Sequence, residues 1–306
     1  MSLTRRDFLA TSSVAIAGLA VSRLPAWAQP AAPLVTAFTE VRRGVGMFTA
    51  TGGTIGYLVN ADGAVAVDSQ YAPNAEICVK GLRERAPKGI DMLINTHHHG
   101  DHVGGNQVFR SAVRRIVAHE NCLAWHRKTA QQAGTEGQTS FADTTFTDTW
   151  KADFGDETIH ARHYGPGHTS GDAVITFERA NIVHGGDLLF RRVHPFIDRP
   201  AGASIANWVR TLEKVASAGS ADTIFIFGHG KDGVVQGTRE DVTYFRNYLQ
   251  AALDHAVTGV KAGRSKEEVT ALAALPGFED VAALGARLNM AAVLGVAFDE
   301  ARGLAP

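Results

Sequence analysis

Within seven consecutive residues, Thr96-His97-His98-His99-Gly100-Asp101-His102, five side chains can donate to a transition metal. Imidazole nitrogen and carboxylate oxygen together suit zinc, and also manganese or iron. Donors packed this densely serve a metal only if a rigid element aims them. The apolar run Met92-Leu93-Ile94 just before them reads as a buried strand, and Gly100 with Gly104-Gly105 reads as the loop it feeds. A strand end that delivers several donors converges them on one point, as a binding site requires. The competing reading is a histidine cluster on a solvated loop. Three glycine-bearing turns that each carry a histidine or aspartate follow downstream: Gly165-Pro166-Gly167-His168-Thr169-Ser170-Gly171-Asp172, Gly185-Gly186-Asp187 and Gly228-His229-Gly230.

The spacing His97-x-His99-x-Asp101-His102, with those three turns in that order, resembles the signature of the metallo-β-lactamase superfamily of hydrolases. The resemblance runs through most of the chain after residue 40. It implies an α/β chain folded as a four-layer αββα sandwich of two similar halves, with a helical C-terminal extension. Carried over residue by residue, it implies that His97, His99 and His168 hold one metal, that Asp101, His102 and His229 hold a second, and that Asp187 bridges them. Asp68, at the end of a strand, is then the carboxylate that supports a ligating histidine, whose other ring N–H needs an acceptor. The expected cofactors are two zinc ions, with iron or manganese as alternatives. The expected reaction is attack of a metal-bridged hydroxide on an ester, thioester, lactone or amide-type bond of a small molecule. Asp101 would orient that hydroxide or pass a proton, and no serine or cysteine nucleophile is needed.

Departures from the subfamilies narrow this expectation. Zinc β-lactamases usually carry cysteine or serine where this chain has Asp187. The bridging aspartate is similar to that of glyoxalase II-like thioesterases and lactonases. The basic patch of glyoxalase II has no convincing match in Lys261, Arg264 and Lys266. β-Lactamase activity in the periplasm stays open, as does a mononuclear-iron oxidoreductase of the sulfur dioxygenase kind. His99 argues against flavodiiron proteins, which place glutamate there.

The elements that must position these donors follow in order. Residues 35–41, 46–51, 54–59 and 64–67 read as strands, separated by the turns Gly52-Gly53 and Asn60-Ala61-Asp62-Gly63. Asn74 to Arg85 reads as a helix, Arg115 to Ala118 as a strand and Leu123 to Gln132 as a helix. An antiparallel opening followed by β–α alternation predicts a layered α/β fold. Residues 134–150, rich in Thr, Gly, Ser and Asp, read as a long loop bordering the substrate mouth or as a solvated insertion. Strands 155–161, 173–177, 182–184 and 223–227 place the remaining donors near strand ends. Residues 239–306 read as a helical segment packed on a catalytic domain of residues 29–238, with helices at 238–263, 266–275 and 281–301. Its stripe Leu288, Met290, Val293, Leu294, Val296, Ala297 and Phe298 predicts packing on the domain, with a homo-oligomer contact as the alternative. His98 should point away from the metals, since it alternates with two donors. His119, His126, His160, His163, His184, His194 and His255 read as structural, and Tyr164, Phe190 and Phe196 as core or pocket-lining.

Composition excludes several classes. With 45% hydrophobic and 20% charged residues the chain has enough apolar residues for one large core, and a net charge of −1 offers no basic surface for nucleic acid. Cys78 and Cys122 fit no metal spacing and read as two buried thiols rather than a disulfide. The first 28 residues stand apart. Thr4-Arg5-Arg6-Asp7-Phe8-Leu9, an apolar run from Val14 to Val21, and Ala26-Trp27-Ala28 resemble a twin-arginine export leader with its cleavage site. The run is too short to span a bilayer comfortably. A periplasmic mature protein with no membrane segment is expected. N-terminal sequencing of the exported protein should begin near Gln29; a start at Met1 or Ser2 would contradict the leader.

Overall fold

A computed structural model describes residues 36–304. The expected leader and its cleavage site lie outside the described residues. The strands are Ala37–Arg42 (β1), Val45–Thr49 (β2), Ile55–Asn60 (β3), Gly63–Val67 (β4), Ile90–Ile94 (β5), Arg115–His119 (β6), Thr144–Phe146 (β7), Thr149–Phe154 (β8), Glu157–Arg162 (β9), Val174–Phe177 (β10), Ile182–His184 (β11), Phe190–Arg191 (β12), Ile224–Ile226 (β13), His229–Gly230 (β14) and Gln236–Gly237 (β15). The helices are Ala72–Arg85 (α1), Gly100–Val103 (α2), Asn106–Arg110 (α3), Glu120–Ala133 (α4), Ile205–Ala218 (α5), Arg239–Lys261 (α6), Lys266–Thr270 (α7) and Met290–Ala301 (α8).

Strands β1 to β7 form one sheet in sequence order, and β15-β13-β11-β10-β9-β8 form the second. The two-residue period of a strand sends alternate side chains to opposite faces. Val65, Val67, Met92, Ile94 and Val117 meet Ile159, Ile175, Phe177, Ile182 and Ile226 between the sheets. Their neighbours Ala64, Ala66, Leu93 and Ile116 turn outward onto α1, α3 and α4 through Ala75, Leu82, Phe109 and Cys122. On the far side Val174, Val183 and Phe225 pack against Trp208 and Leu212 of α5, Phe245 and Leu249 of α6, and Val293 and Leu294 of α8. The result is the four-layer αββα sandwich with a helical C-terminal extension.

That extension shares one core with the second sheet. Met290, Val293, Leu294, Ala297 and Phe298 of the apolar stripe are buried within the chain. Glu300 of α8 reaches the start of α5, accepting from the backbone N–H groups of Ile205 at 2.7 Å and Ala206 at 3.2 Å, and pairs with Arg199 at 3.0 Å. A carboxylate at a helix N-terminus satisfies free amides and meets the positive end of the helix dipole.

Three expectations are corrected. Residues 134–150 are not one loop: after a short turn at Glu136–Gln138 they supply β7 and open β8, and Phe146 enters the core between the sheets. A three-residue edge strand is too short to show a period. The helix expected at 281–301 starts at Met290, where the Asn289 side chain accepts from Ala292 N; Ala282 and Leu284 instead form isolated bridges. The helix at 266–275 ends at Thr270, ahead of Pro276, which disfavours helical geometry at Leu275. Cys78 and Cys122 are buried free thiols.

Trp208 is fully buried, and its indole N–H donates to Leu188 O at 2.9 Å, one residue past Asp187. Trp208→Ala is expected to destabilise the fold by about 3–5 kcal/mol in denaturant unfolding; a loss within about 0.5 kcal/mol would contradict this packing.

Candidate metal centre

Strands β4, β5 and β6 run parallel, as do β11 and β13, so their carboxyl ends open at one edge of the sandwich. Asp68 follows β4, the His97–His102 loop follows β5, Asp187 follows β11, and His229 follows β13. His168 arrives on the turn between β9 and β10.

The seven expected donors meet there in the two expected sets. His97, His99, His168 and Asp187 each place one donor atom within 4.8 Å of all the others, and so do Asp101, His102 and His229. In the first set His99 Nδ1 lies 3.2 Å from His97 Nε2 and 2.8 Å from His168 Nε2. Asp187 Oδ2 is 3.9 Å from His97 Nε2, 3.7 Å from His168 Nε2 and 3.3 Å from His229 Nε2. Its other oxygen, Oδ1, is 2.9 Å from His102 Nε2. One buried carboxylate therefore faces both sets. Asp101 Oδ2 completes the second set, 3.2 Å from His229 Nε2.

The opposite ring nitrogens are anchored. His102 Nδ1 lies 2.7 Å from Asp68 Oδ2, so the Asp68 carboxylate does meet a donor histidine. Asp68 also accepts from the backbone N–H and hydroxyl of Thr96, each at 2.7 Å. It does this at φ 64°, a left-handed backbone unusual for a residue with a side chain. Thr96 Oγ1, having donated to Asp68, accepts from His97 Nδ1 at 3.1 Å. His168 Nδ1 donates to Phe196 O at 2.9 Å, and His99 Nε2 donates to Asp198 Oδ2 at 2.9 Å. Each anchor fixes the tautomer so that the free nitrogen aims inward.

Burial and charge divide the centre. Burial, and then His102, push His97 well below the ordinary histidine range; burial and then His99 push His168 down to about 3. Neutral imidazole is the ligating form. Burial opposes charge on His102, yet Asp187 and Asp68 hold it well above the ordinary range. His229 rises to about 9, as Asp187 and a hydrogen bond to Asp101 overcome burial. Asp187 itself is held well below the usual carboxylate range by His229 and His102, against its burial. His102 Nε2 and Asp187 Oδ1, 2.9 Å apart, are buried and, each other apart, have no hydrogen-bond partner. Buried polar atoms are rarely left so, and a cation between them satisfies both; the donor set fits a metal pair. A side chain at Gly228 would overlap Asp187 Oδ1, which is why glycine stands beside that donor.

His98 turns away as expected, with Nε2 3.5 Å from Asp198 and its ring beside Trp125. His119 stacks on His163, His194 bonds the Tyr248 hydroxyl and His255 bonds Val269 O. Phe190 is core, stacked on His229 at 5.5 Å, and Tyr164 is partly buried at the core margin. Phe196 is 44% exposed beside His99. Asp198 and Thr96 were not singled out as site residues; Asp198 lies 99 residues from the histidine it anchors, and nothing in its local pattern marks it.

Residues 49–229 match the family described as the metallo-beta-lactamase superfamily. The chain belongs to that superfamily. Its members are mostly hydrolases and typically bind metal ions. The chain is 25% identical over 178 residues to the metallo-beta-lactamase type 2 of Bacillus cereus, covering 58% of this chain and 66% of that one. It is 37% identical over 73 residues to the hydroxyacylglutathione hydrolase of Rhodopseudomonas palustris, covering 24% and 28%. Among solved structures, a metallo-beta-lactamase from Pontibacter korlensis superposes with a TM-score of 0.59 at 17% identity, covering 71% of this chain and 99% of that one. The sec-alkylsulfatase Pisa1 from Pseudomonas sp. superposes at 0.69 and 13% identity, covering 87% and 50%. These superpositions concern the fold.

Asp68→Ala removes the acceptor for His102 and Thr96 together. It is expected to weaken metal affinity about 10–100-fold in chelator competition; unchanged affinity would contradict the anchoring role.

Proposed function

We propose that the protein is a zinc-dependent hydrolase cleaving an ester, thioester, lactone or amide-type bond in a small molecule. The observation that supports this most is Asp187 facing two complete donor sets at once. His97, His99 and His168 would hold one zinc, and Asp101, His102 and His229 the other, with Asp187 shared. Metals held there supply Lewis acidity and make water a nucleophile near neutral pH.

The chain's own groups divide the remaining work. Cys78 and Cys122 are buried, and burial raises both thiols far from reactive thiolates. Ser69 is buried, its hydroxyl held between His102 O at 3.0 Å and Asn106 Oδ1 at 2.8 Å. Water is the nucleophile that remains. Asp101, its side chain 22% exposed, is the most accessible carboxylate of the centre. It is the group placed to orient the attacking water and to pass a proton. His99, anchored by Asp198, and His168, anchored by Phe196 O, keep the first set rigid.

A second reading, β-lactam hydrolysis, is supported by the likeness to the Bacillus cereus protein; Asp187, where zinc β-lactamases usually carry cysteine or serine, argues against it. The leader-like N-terminus supports a periplasmic location.

Zinc-loaded protein is expected to hydrolyse at least one of a thioester, lactone and ester panel, with two zinc per chain. Asp187→Ala should lose both metals and lower the rate at least ~10²-fold. Full metal content and rate in that variant would contradict the shared ligand, and one iron with oxygen uptake would point to a dioxygenase.

A further inference from the structure

A cavity of about 310 Å³ opens beside the donors, with His99 and Gly100 in its wall. Its volume is within the range of small-molecule sites. Three elements enclose it: α2 with the start of α3, the inner side of α4, and residues 135–140. The third wall is fixed in place. Ser140 Oγ donates to Gln107 Oε1 at 2.6 Å, Asn106 Nδ2 donates to Ser140 O at 3.2 Å, and Thr139 Oγ1 donates to Thr135 O at 2.9 Å.

The lining is apolar at Val103, Ala130 and Ala133, and polar but uncharged at Gln107, Gln138 and Ser140. It contains no Lys, Arg, Asp or Glu. The cations of α4 are engaged elsewhere, Arg127 over Phe141 and Lys128 over Trp125. His126, also in the lining, is pushed down to about 4 by burial and then by His98, and is neutral at pH 7. On the opposite side of the centre a smaller cleft of about 150 Å³ runs past Gly52, Gly53, Gly228, His229 and Leu284, again without Lys or Arg. A β-lactam or a glutathione conjugate carries a carboxylate that normally needs a cationic partner. Neither lining holds a Lys or Arg to pair with it.

Resting on the hydrolase reading above, the geometry points to a substrate whose non-reacting part is uncharged, such as a short acyl chain or a ring, and which lies in the His99–Gly100–Ala133 chamber while its scissile carbonyl sits over the donors. Continuity is the reason for choosing this occupant. His99 is both a donor of the first set and part of the chamber wall, so a group in the chamber is in line with the reacting centre. At Gly100, itself exposed, an added Cβ would meet nothing within 4 Å, so the wall next to His99 is uncrowded. Ala133 is exposed at the far end, so enlarging it leaves the core alone.

The test uses the zinc-loaded full chain with para-nitrophenyl acetate, hexanoate and the adipate half-ester, which match or vary chain length and charge. Hexanoate is expected to exceed both others in kcat/KM by roughly tenfold or more, as several methylenes leave water. Ala133→Trp should abolish the advantage over acetate. Gln107→Arg should shift preference toward the adipate half-ester. An unchanged hexanoate-to-acetate ratio in Ala133→Trp, or a wild-type preference for the carboxylate, would overturn the proposal. A second arm does not depend on turnover: hexanamide, but not adipamate, should shift the methyl resonances of Ala130 and Ala133. If no ester is cleaved yet those shifts appear, the hydrolase reading fails and the chamber stands; without the shifts, the chamber proposal fails whatever the activity.

Discussion

The carboxylate of Asp187 is taken out of water at the edge where the two sheets meet, and everything around it answers that fact. An isolated buried carboxylate is costly, so it persists only where positive charge or donors compensate it. Here its two oxygens look in different directions, Oδ1 toward His102 and Oδ2 toward His97, His168 and His229. Compensation from both sides requires that strands of both sheets end at one edge, and that backbone come close beside it. Parallel pairing of β4 with β5 and of β11 with β13 supplies the first requirement. Gly228 supplies the second.

Rigidity comes from a ring of groups that never face the centre. Asp68 binds three partners from a strained backbone, fixing His102 directly and His97 through Thr96. Asp198 and the carbonyl of Phe196 fix His99 and His168 from one short segment. That segment continues through Arg199, which pairs with Glu300, so the last described helix braces the loop holding two donor histidines. The C-terminal extension thus reaches the site indirectly, through one ion pair and the amides that begin α5.

Much of the site was legible because metal donors are rare residue types in tight local patterns. Four histidines and an aspartate in seven residues, and three glycine-bearing turns, carry information that no tertiary contact is needed to read. Asp68 was legible only through the family resemblance, since an aspartate at a strand end is by itself an ordinary feature. Asp198 was not, because its role depends on a contact across 99 residues, and aspartate before Arg-Pro is an ordinary turn. The layered fold was legible because an antiparallel opening gives way to alternating strands and helices, and because the donor motifs resemble those of a family with that fold. The second half of residues 134–150 was misread because an edge strand of three residues buries too little to impose a pattern. Residues 281–289 were misread because an apolar stripe that packs in a helix and one that packs in an irregular loop look alike without the partner surface, here Arg192 and Val193.

The proposed hydrolysis depends on two metals sharing the Asp187 carboxylate. Anomalous diffraction from zinc-loaded crystals measures this directly. Two peaks about 3.5–4 Å apart, one beside His97, His99 and His168 and one beside Asp101, His102 and His229, with Asp187 between them, are what it predicts. A single peak, or a second one away from Asp187, would contradict it.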